Sequence, residues 1–143
     1  MVTITLRVIY GDTDQMGVVY YANYLRYFEA ARNEFIRAKG LRYRDFEEQY
    51  GLVLPVIEAH ASYKVPAKYD DLLTVEISLA EAKRASARFD YRILREGTLL
   101  ATGHTVHACV DLEGRPRRFP AELLERLAAP NPSATRSPAP TGR

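Results

Sequence analysis

One long amphipathic helix set among about five extended, alternating segments predicts an α+β domain with an antiparallel sheet. Three observations carry that expectation. From about Ala22 to Lys39, Tyr24, Phe28, Ala31 and Phe35 recur at helical spacing, with Leu25 and Ile36 widening the apolar stripe. From Val53 to Asp111 the chain is strand-like and punctuated by turn residues. Its 143 residues suit a single domain with one core. A helix with one apolar stripe and a sheet with one face to cover bury each other most economically when the sheet wraps the helix.

The elements follow in order. Thr3 to Tyr10 alternates and is β-branched, which predicts a strand with Ile4, Leu6 and Val8 on one face. A turn-rich segment leads into the helix, and Gly40 suits its C-terminal stop. Tyr43 to Tyr50 reads as a short helix ahead of Gly51. Strands are expected at about Val53–Val65, with Pro55 near its start and Pro66 ending it, and then at Leu72–Lys83, Ala85–Arg95 and Thr98–Asp111. Glu96-Gly97 and Leu112-Glu113-Gly114 mark turns, and Gly103 interrupts the last strand's character. Arg117 to Phe119 suits a short final pairing, and Pro120 opens a helix through AELLERLAA. The stretch from Pro130, rich in Pro, Ser, Thr and Ala without periodicity, reads as a disordered tail following a domain over 1–129.

Composition narrows the function classes. Of the net charge of +2, Arg136 and Arg143 lie in the tail, so the body is neutral and offers no general case for nucleic-acid binding. No apolar run approaches the roughly 18 residues of a membrane span, and the alternating amino terminus lacks a signal peptide's apolar region. Cys109 stands alone, which excludes an internal disulfide and a multi-Cys zinc motif. His104 and His107 are three apart in an expected strand, face opposite sides and chelate poorly, while His60 is distant in sequence. No metal or cofactor is expected, and a cytoplasmic address is the default.

The chemistry concentrates in Tyr10 to Arg32, YGDTDQMGVVYYANYLRYFEAAR. Asp12 and Asp14 sit in a turn with Gly11 and Gly17, just before a helix start that presents free N–H groups and a positive dipole end. A carboxylate beside such donors suits attack on a carbonyl with stabilisation of the oxyanion. Asp before a helix also serves simply as a cap. The absence of a G-x-S-x-G elbow argues against a serine-hydrolase route.

The ordered string Val8-Ile9-Tyr10-Gly11-Asp12-Thr13-Asp14, Gly17-Val18-Val19-Tyr20-Tyr21, Asn23-Tyr24 and Arg32 resembles the signature of the 4-hydroxybenzoyl-CoA thioesterase family. His60-Ala61-Ser62-Tyr63 and Tyr69 to Glu76 resemble that family's central strands, and the likeness covers roughly residues 3 to 128. The resemblance implies a hot-dog fold and an acyl-CoA thioester hydrolase without metal or redox cofactor, coenzyme A being part of the substrate. It implies Asp14 as the catalytic carboxylate, by direct attack or as general base. Asp12 then shapes the turn. The backbone N–H at Tyr21 is implied as oxyanion donor, Gly17 and Val18 line the thioester, and Ser62 is a candidate contact for the pantetheine arm or acyl group. Related bacterial members carry His at the Tyr21 position, so a phenol there bears on acyl specificity. Lys83 and Arg84 lie where a family member places a basic cluster for the nucleotide phosphates; Lys64 and Lys68 are weaker candidates. Edge-to-edge dimers, commonly paired into tetramers, are implied, with the site at the dimer interface. The alternatives are a hydratase or dehydratase using a carboxylate with His60, and a non-catalytic acyl-thioester-binding module. Neither nucleic acid nor membrane is an expected partner.

Overall fold

The computed structural model of the chain describes residues 1–130 and the backbone of Thr135–Arg136. The remainder of the Pro-rich tail, and with it the expectation of disorder, lies outside the described residues. In chain order the elements are β1 (Val2–Arg7), α1 (Asn23–Ala38), α2 (Tyr43–Asp45), β2 (Leu52–Val53), β3 (Val56–Tyr63), β4 (Leu72–Ala82), β5 (Ser86–Arg95), β6 (Thr98–Ala108), β7 (Val110–Asp111), α3 (Ala121–Ala128) and β8 (Thr135–Arg136). The main sheet runs β3-β6-β5-β4-β1, antiparallel throughout, with β8 adding a short parallel pairing beyond β1.

The sheet curls around α1 because both carry one apolar face. Tyr24, Tyr27, Phe28, Ala31, Phe35 and Ile36 of α1 are buried against Ile4, Leu6, Val75, Ile77, Phe89 and Ile93 of the strands. Alternation along each strand turns every second residue to this side. Gly103 explains why a glycine interrupts β6. A Cβ there would lie 2.5 Å from the Phe28 ring and 2.5 Å from the His60 carbonyl oxygen. The missing side chain lets Phe28 settle onto the sheet, where it stacks on Tyr91 at 4.4 Å.

Beneath α1 a polar chain crosses the core. Arg32 donates to the hydroxyls of Tyr43 and Tyr91, each at 3.0 Å. Tyr91 bonds Thr105 at 2.6 Å, Thr105 meets His107 Nε2 at 2.9 Å, and His107 Nδ1 reaches the Leu54 carbonyl at 3.0 Å. Burial pushes His107 down to about 4, so the ring is neutral at ordinary pH. Among the described residues no buried side-chain nitrogen or oxygen lacks a partner. Cys109 is likewise buried, and burial pushes its thiol up to about 11.

Several boundaries differ from the sequence expectation. The strand expected over Val53–Val65 splits at Leu54-Pro55: β2 pairs with β7, while β3 pairs with β6. The strand expected over Thr98–Asp111 splits at Cys109, whose N–H turns to the Ala85 carbonyl at 2.8 Å. Alternation cannot reveal a change of partner within one extended run. The first strand ends at Arg7, and Tyr10–Asp12 form a 3-10 turn instead. Tyr43–Tyr50 is helical as expected, but α2 passes into a π-helical turn over Phe46–Tyr50 before Gly51 at φ 65°. Leu25 does not join the core and is 41% exposed. It shares its side of α1 with Ile36, but the segment returning through Leu41 and Tyr43 covers only the helix's later turns. The pairing expected at Arg117–Phe119 appears as bonds to the carbonyls of Cys109 (3.0 Å) and Arg84 (2.8 Å).

Candidate active site

The turn between β1 and α1 is built on Asp12. Its side chain is 1% exposed and accepts from the buried Tyr27 hydroxyl at 2.8 Å and from Arg26 at 3.5 Å. Its carbonyl takes the Tyr20 N–H at 2.9 Å and the Asn23 side-chain amide at 3.0 Å. Asp12 therefore ties the 3-10 turn to the first turns of α1.

Asp14, two residues on, stands in a different setting. Its N–H bonds the Val18 carbonyl at 2.8 Å, its carbonyl takes the Gly17 N–H at 3.0 Å, and its Oδ1 takes the Met16 N–H at 2.8 Å. Oδ2 has no partner among the described residues. Gly17 adopts φ 80°, a left-handed geometry that favours glycine and closes this small hairpin. The bridge Thr13–Val19 closes the hairpin, and the bridge Val18–Lys68, with Val19 N–H to the Ala67 carbonyl at 2.8 Å, pins it to the loop ahead of β4. A cleft of about 570 Å³ opens over it, lined by Tyr10, Thr13, Asp14, Tyr20 and Asn23 among others.

From Tyr20 the chain enters α1, which has no acidic residue in its first turn to offset the dipole. The Asn23 and Tyr24 N–H groups close onto the Tyr20 and Tyr21 carbonyls at 2.9 and 3.3 Å. The Tyr21 N–H has no acceptor among the described residues. A carboxylate oxygen and a backbone donor, both open, thus belong to one short loop at a helix N-terminus.

Tyrosines surround that loop. Tyr20 and Tyr21 pack at 4.7 Å, Tyr21 and Tyr63 at 6.4 Å, Tyr63 and Tyr24 at 5.0 Å, and Tyr24 and Tyr27 at 6.0 Å. Tyr63 Oη also donates to the Tyr21 carbonyl at 3.2 Å. Sequence reasoning did not single out Tyr63; its signal is the apolar, helix-facing parity it shares with Ala61.

The other candidates separate. Gly17 and Val18 belong to the hairpin beside Asp14. Ser62 pairs with Thr102 between inward-facing Ala61 and Tyr63, so it stands on the open side of the sheet, away from α1. Lys83 and Arg84 follow the far end of β4; eleven strand residues put them roughly 35 Å from the hairpin of their own chain. Lys83 pairs with Glu81 at 3.0 Å. Lys68 is the basic residue bridged directly to Val18, and exposed Lys64 leaves the end of β3 nearby. His60 and His104 are cross-strand neighbours with rings stacked at 5.3 Å on the open face, a pairing across 44 positions that sequence spacing did not reveal. His107 faces the core, opposite His104.

The model of the thioesterase-like superfamily matches residues 8–127. An acyl-CoA thioesterase, YbgC, of Haemophilus influenzae is 40% identical over 119 residues, covering 82% of this chain and 88% of that protein. The 1,4-dihydroxy-2-naphthoyl-CoA hydrolase of Synechococcus elongatus is 36% identical over 119 residues, covering 82% and 85%. A 4-hydroxybenzoyl-CoA thioesterase with one aspartate changed to asparagine, solved with 4-hydroxybenzoyl-CoA, superposes with a TM-score of 0.81 at 27% identity over 88% of this chain and 97% of that one. With β-sheet, central helix and signature loop in agreement, the chain belongs to the thioesterase-like superfamily and is a hot-dog-fold enzyme of the acyl-CoA thioester hydrolase class.

Proposed function

We propose that the enzyme hydrolyses acyl-CoA thioesters at the Asp14 hairpin, with Asp14 as the reacting carboxylate and the Tyr21 N–H as oxyanion donor. The observation that carries this reading is the pairing, in one loop, of a carboxylate oxygen and an N–H at the start of α1 that both lack a partner among the described residues. Asp14 either attacks the carbonyl to give a mixed anhydride, expelling the CoA thiolate, or takes the proton of an attacking water. Label found in the Asp14 carboxylate after a single turnover in ¹⁸O-water identifies the anhydride route. Gly17 and Val18 give the thioester a close backbone approach. Coenzyme A enters as substrate, and no further cofactor is required by this chemistry.

The acyl group we propose is aromatic. Tyr10, Tyr20, Tyr21 and Tyr63 are 78, 46, 61 and 48% exposed around the loop, a surface suited to flat rings. The naphthoyl and hydroxybenzoyl substrates named for two relatives point the same way. A hydratase would pair a carboxylate with His60, but His60 stands on the open face, on the other side of the sheet from α1.

We further propose a homodimer joined along β3. That edge exposes Val56 and Ile57 at 47 and 62% and, among the described residues, has an unpaired backbone side, which protein edges rarely leave uncovered. A strand paired with its own copy across a two-fold axis perpendicular to the sheet is antiparallel. The partner's β4–β5 turn then comes to the end of the joint sheet where Asp14 lies. In that arrangement Lys83 and Arg84 serve the neighbouring site, with Lys64 and Lys68 serving their own, and a dimer of dimers remains compatible.

The experiment is thiol release from a panel of aromatic and aliphatic acyl-CoAs, wild type beside Asp14→Asn. Turnover led by aryl thioesters and abolished by the substitution supports the reading. A folded wild type that binds but never turns over acyl-CoA overturns it in favour of a binding module.

A further inference from the structure

The oxyanion N–H of the proposed reaction sits on a short, exposed connection, and something must fix its direction. The Tyr20–Tyr21 peptide carries that N–H, and its carbonyl is held by the Asn23 N–H at 2.9 Å. The following peptide, Tyr21–Ala22, has its carbonyl gripped from two sides: by the Tyr24 N–H at 3.3 Å and by the Tyr63 hydroxyl at 3.2 Å. Tyr63 is the last residue of β3, so the second grip comes from the sheet and not from the helix itself. Its ring packs on Tyr24 at 5.0 Å and on Tyr21 at 6.4 Å, which fixes the direction of its hydroxyl. Tyr24 in turn accepts the Ala67 N–H at 3.2 Å, so β3 and the segment after it hold the helix start through two tyrosine hydroxyls.

The start of α2 is held differently. In α2 the Asp45 carboxylate accepts the Arg42 N–H at 2.7 Å. The start of α1 has no side-chain cap of its own. A carboxylate cap there would place a fixed anion beside the donors needed for an oxyanion. A neutral hydroxyl on the carbonyl side holds the same backbone without competing for those donors. Burial and the neighbouring Tyr21 phenol raise the Tyr63 hydroxyl above its ordinary range, so it remains a donor across neutral pH.

We propose that Tyr63 is a positioning residue for the thioesterase reaction: its hydroxyl fixes the Tyr21–Ala22 peptide and so aims the Tyr21 N–H at the developing oxyanion. This rests on the hydrolase reading above, and it assigns Tyr63 no contact with the reacting atoms. Because Tyr63 belongs to the edge strand, the aim of the oxyanion donor is set by the same strand that we propose joins two copies.

Tyr63→Phe tests it, since the ring and its packing remain and only the hydroxyl goes. Two readouts are taken on the full chain. The first needs no turnover: the Ala22 ¹⁵N resonance, which reports on the carbonyl of its own peptide, should shift in Tyr63→Phe, with the Tyr21 amide perturbed as well. The second is kinetic: kcat should fall about three- to tenfold, the size of one net hydrogen bond lost in the transition state, with KM altered less than about twofold and thermal stability retained. A ketone analogue of acyl-CoA that hydrates to a tetrahedral form should lose affinity in parallel with kcat, while an inert thioether analogue should not. Unmoved Ala22 and Tyr21 resonances overturn the proposal, as does a moved Ala22 resonance with kcat unchanged. Wild-type protein inert toward every thioester would sink the hydrolase reading and, with it, the catalytic half of this proposal, while the resonances would still report whether the contact exists.

Discussion

Asp12 and Asp14 are two residues apart and have the same side chain, yet they live in opposite regimes. Asp12 belongs to the closed interior that continues through Tyr27, and that interior includes the Arg32–Tyr91–Thr105–His107 chain, where each polar atom finds a partner. Asp14 belongs to an open rim, with one carboxylate oxygen engaged and the other not, facing a cleft rimmed by exposed tyrosines. On the reading proposed above, the buried Asp12 is architecture and the open Asp14 carries the chemistry. A closed network is rigid because every bond broken inside it leaves a desolvated partner behind. An open carboxylate keeps the spare bonding capacity that a reaction needs.

That contrast breaks or sharpens under substitution. The largest effect is expected at the rim: Asp14→Asn should lose on the order of 10²–10⁴ in kcat, because an amide neither ionises nor takes up a proton effectively. Circular dichroism and melting should be close to wild type. Near-normal turnover in that variant would remove Asp14 from the reaction and erase the contrast.

The interior should answer to acid. His107 is held neutral with its pKa depressed to about 4, against about 6.5 when unfolded. The native state therefore binds fewer protons than the unfolded chain between those values. Stability is full above about pH 6.5 and drains away as pH falls toward 4, by about 3 kcal/mol from this group. Asp111, whose pKa the Arg115 and Glu113 N–H groups and the Arg115 guanidinium hold down to about 2, loses its contribution only at still lower pH. Denaturant melts at pH 7, 5.5 and 4.5 measure the slope, and His107→Gln should flatten it. An equal slope in the variant would mean that another group carries the acid sensitivity.

Gly103→Ala should cost about 1–3 kcal/mol, since a Cβ there meets a backbone oxygen that cannot step aside as well as the Phe28 ring. Equilibrium unfolding reads it directly, and an unchanged midpoint would show that α1 sits less tightly on the sheet than the geometry says. Asp12→Asn should have the smallest effect on chemistry: about 1–3 kcal/mol of stability, with KM altered more than kcat. A kcat loss greater than that of Asp14→Asn would reverse the roles of the two carboxylates.

Much of this was readable in the sequence, and the parts that were not share a cause. The helix stripe, the strands and the turn announced themselves because local periodicity encodes them: Phe28, Ala31 and Phe35 do face the core. His107 opposite His104 also followed from spacing, and Asp12 as loop-shaper followed from the family resemblance. What stayed hidden depends on partners far along the chain. Leu25 has the right periodicity, but no described segment returns to cover it. Extended runs through Leu54 and Cys109 change partners without changing pattern. The stacked His60–His104 pair and the reach of Tyr63 to Tyr21 arise only when β3 lies against β6 and α1. Ser62 is a different case, since counting by twos from Tyr63 was enough to put it on the other face.

Burial of Cys109 has a practical corollary. It is the chain's one thiol, and at about 11 its pKa leaves almost no thiolate at neutral pH. An enzyme of this class liberates a thiol with every turnover. Its own cysteine is hidden from the electrophiles and disulfide reagents that would trap that product, so released coenzyme A can be followed continuously with little background from the protein. The same shielding protects the enzyme from disulfide exchange with oxidised coenzyme A.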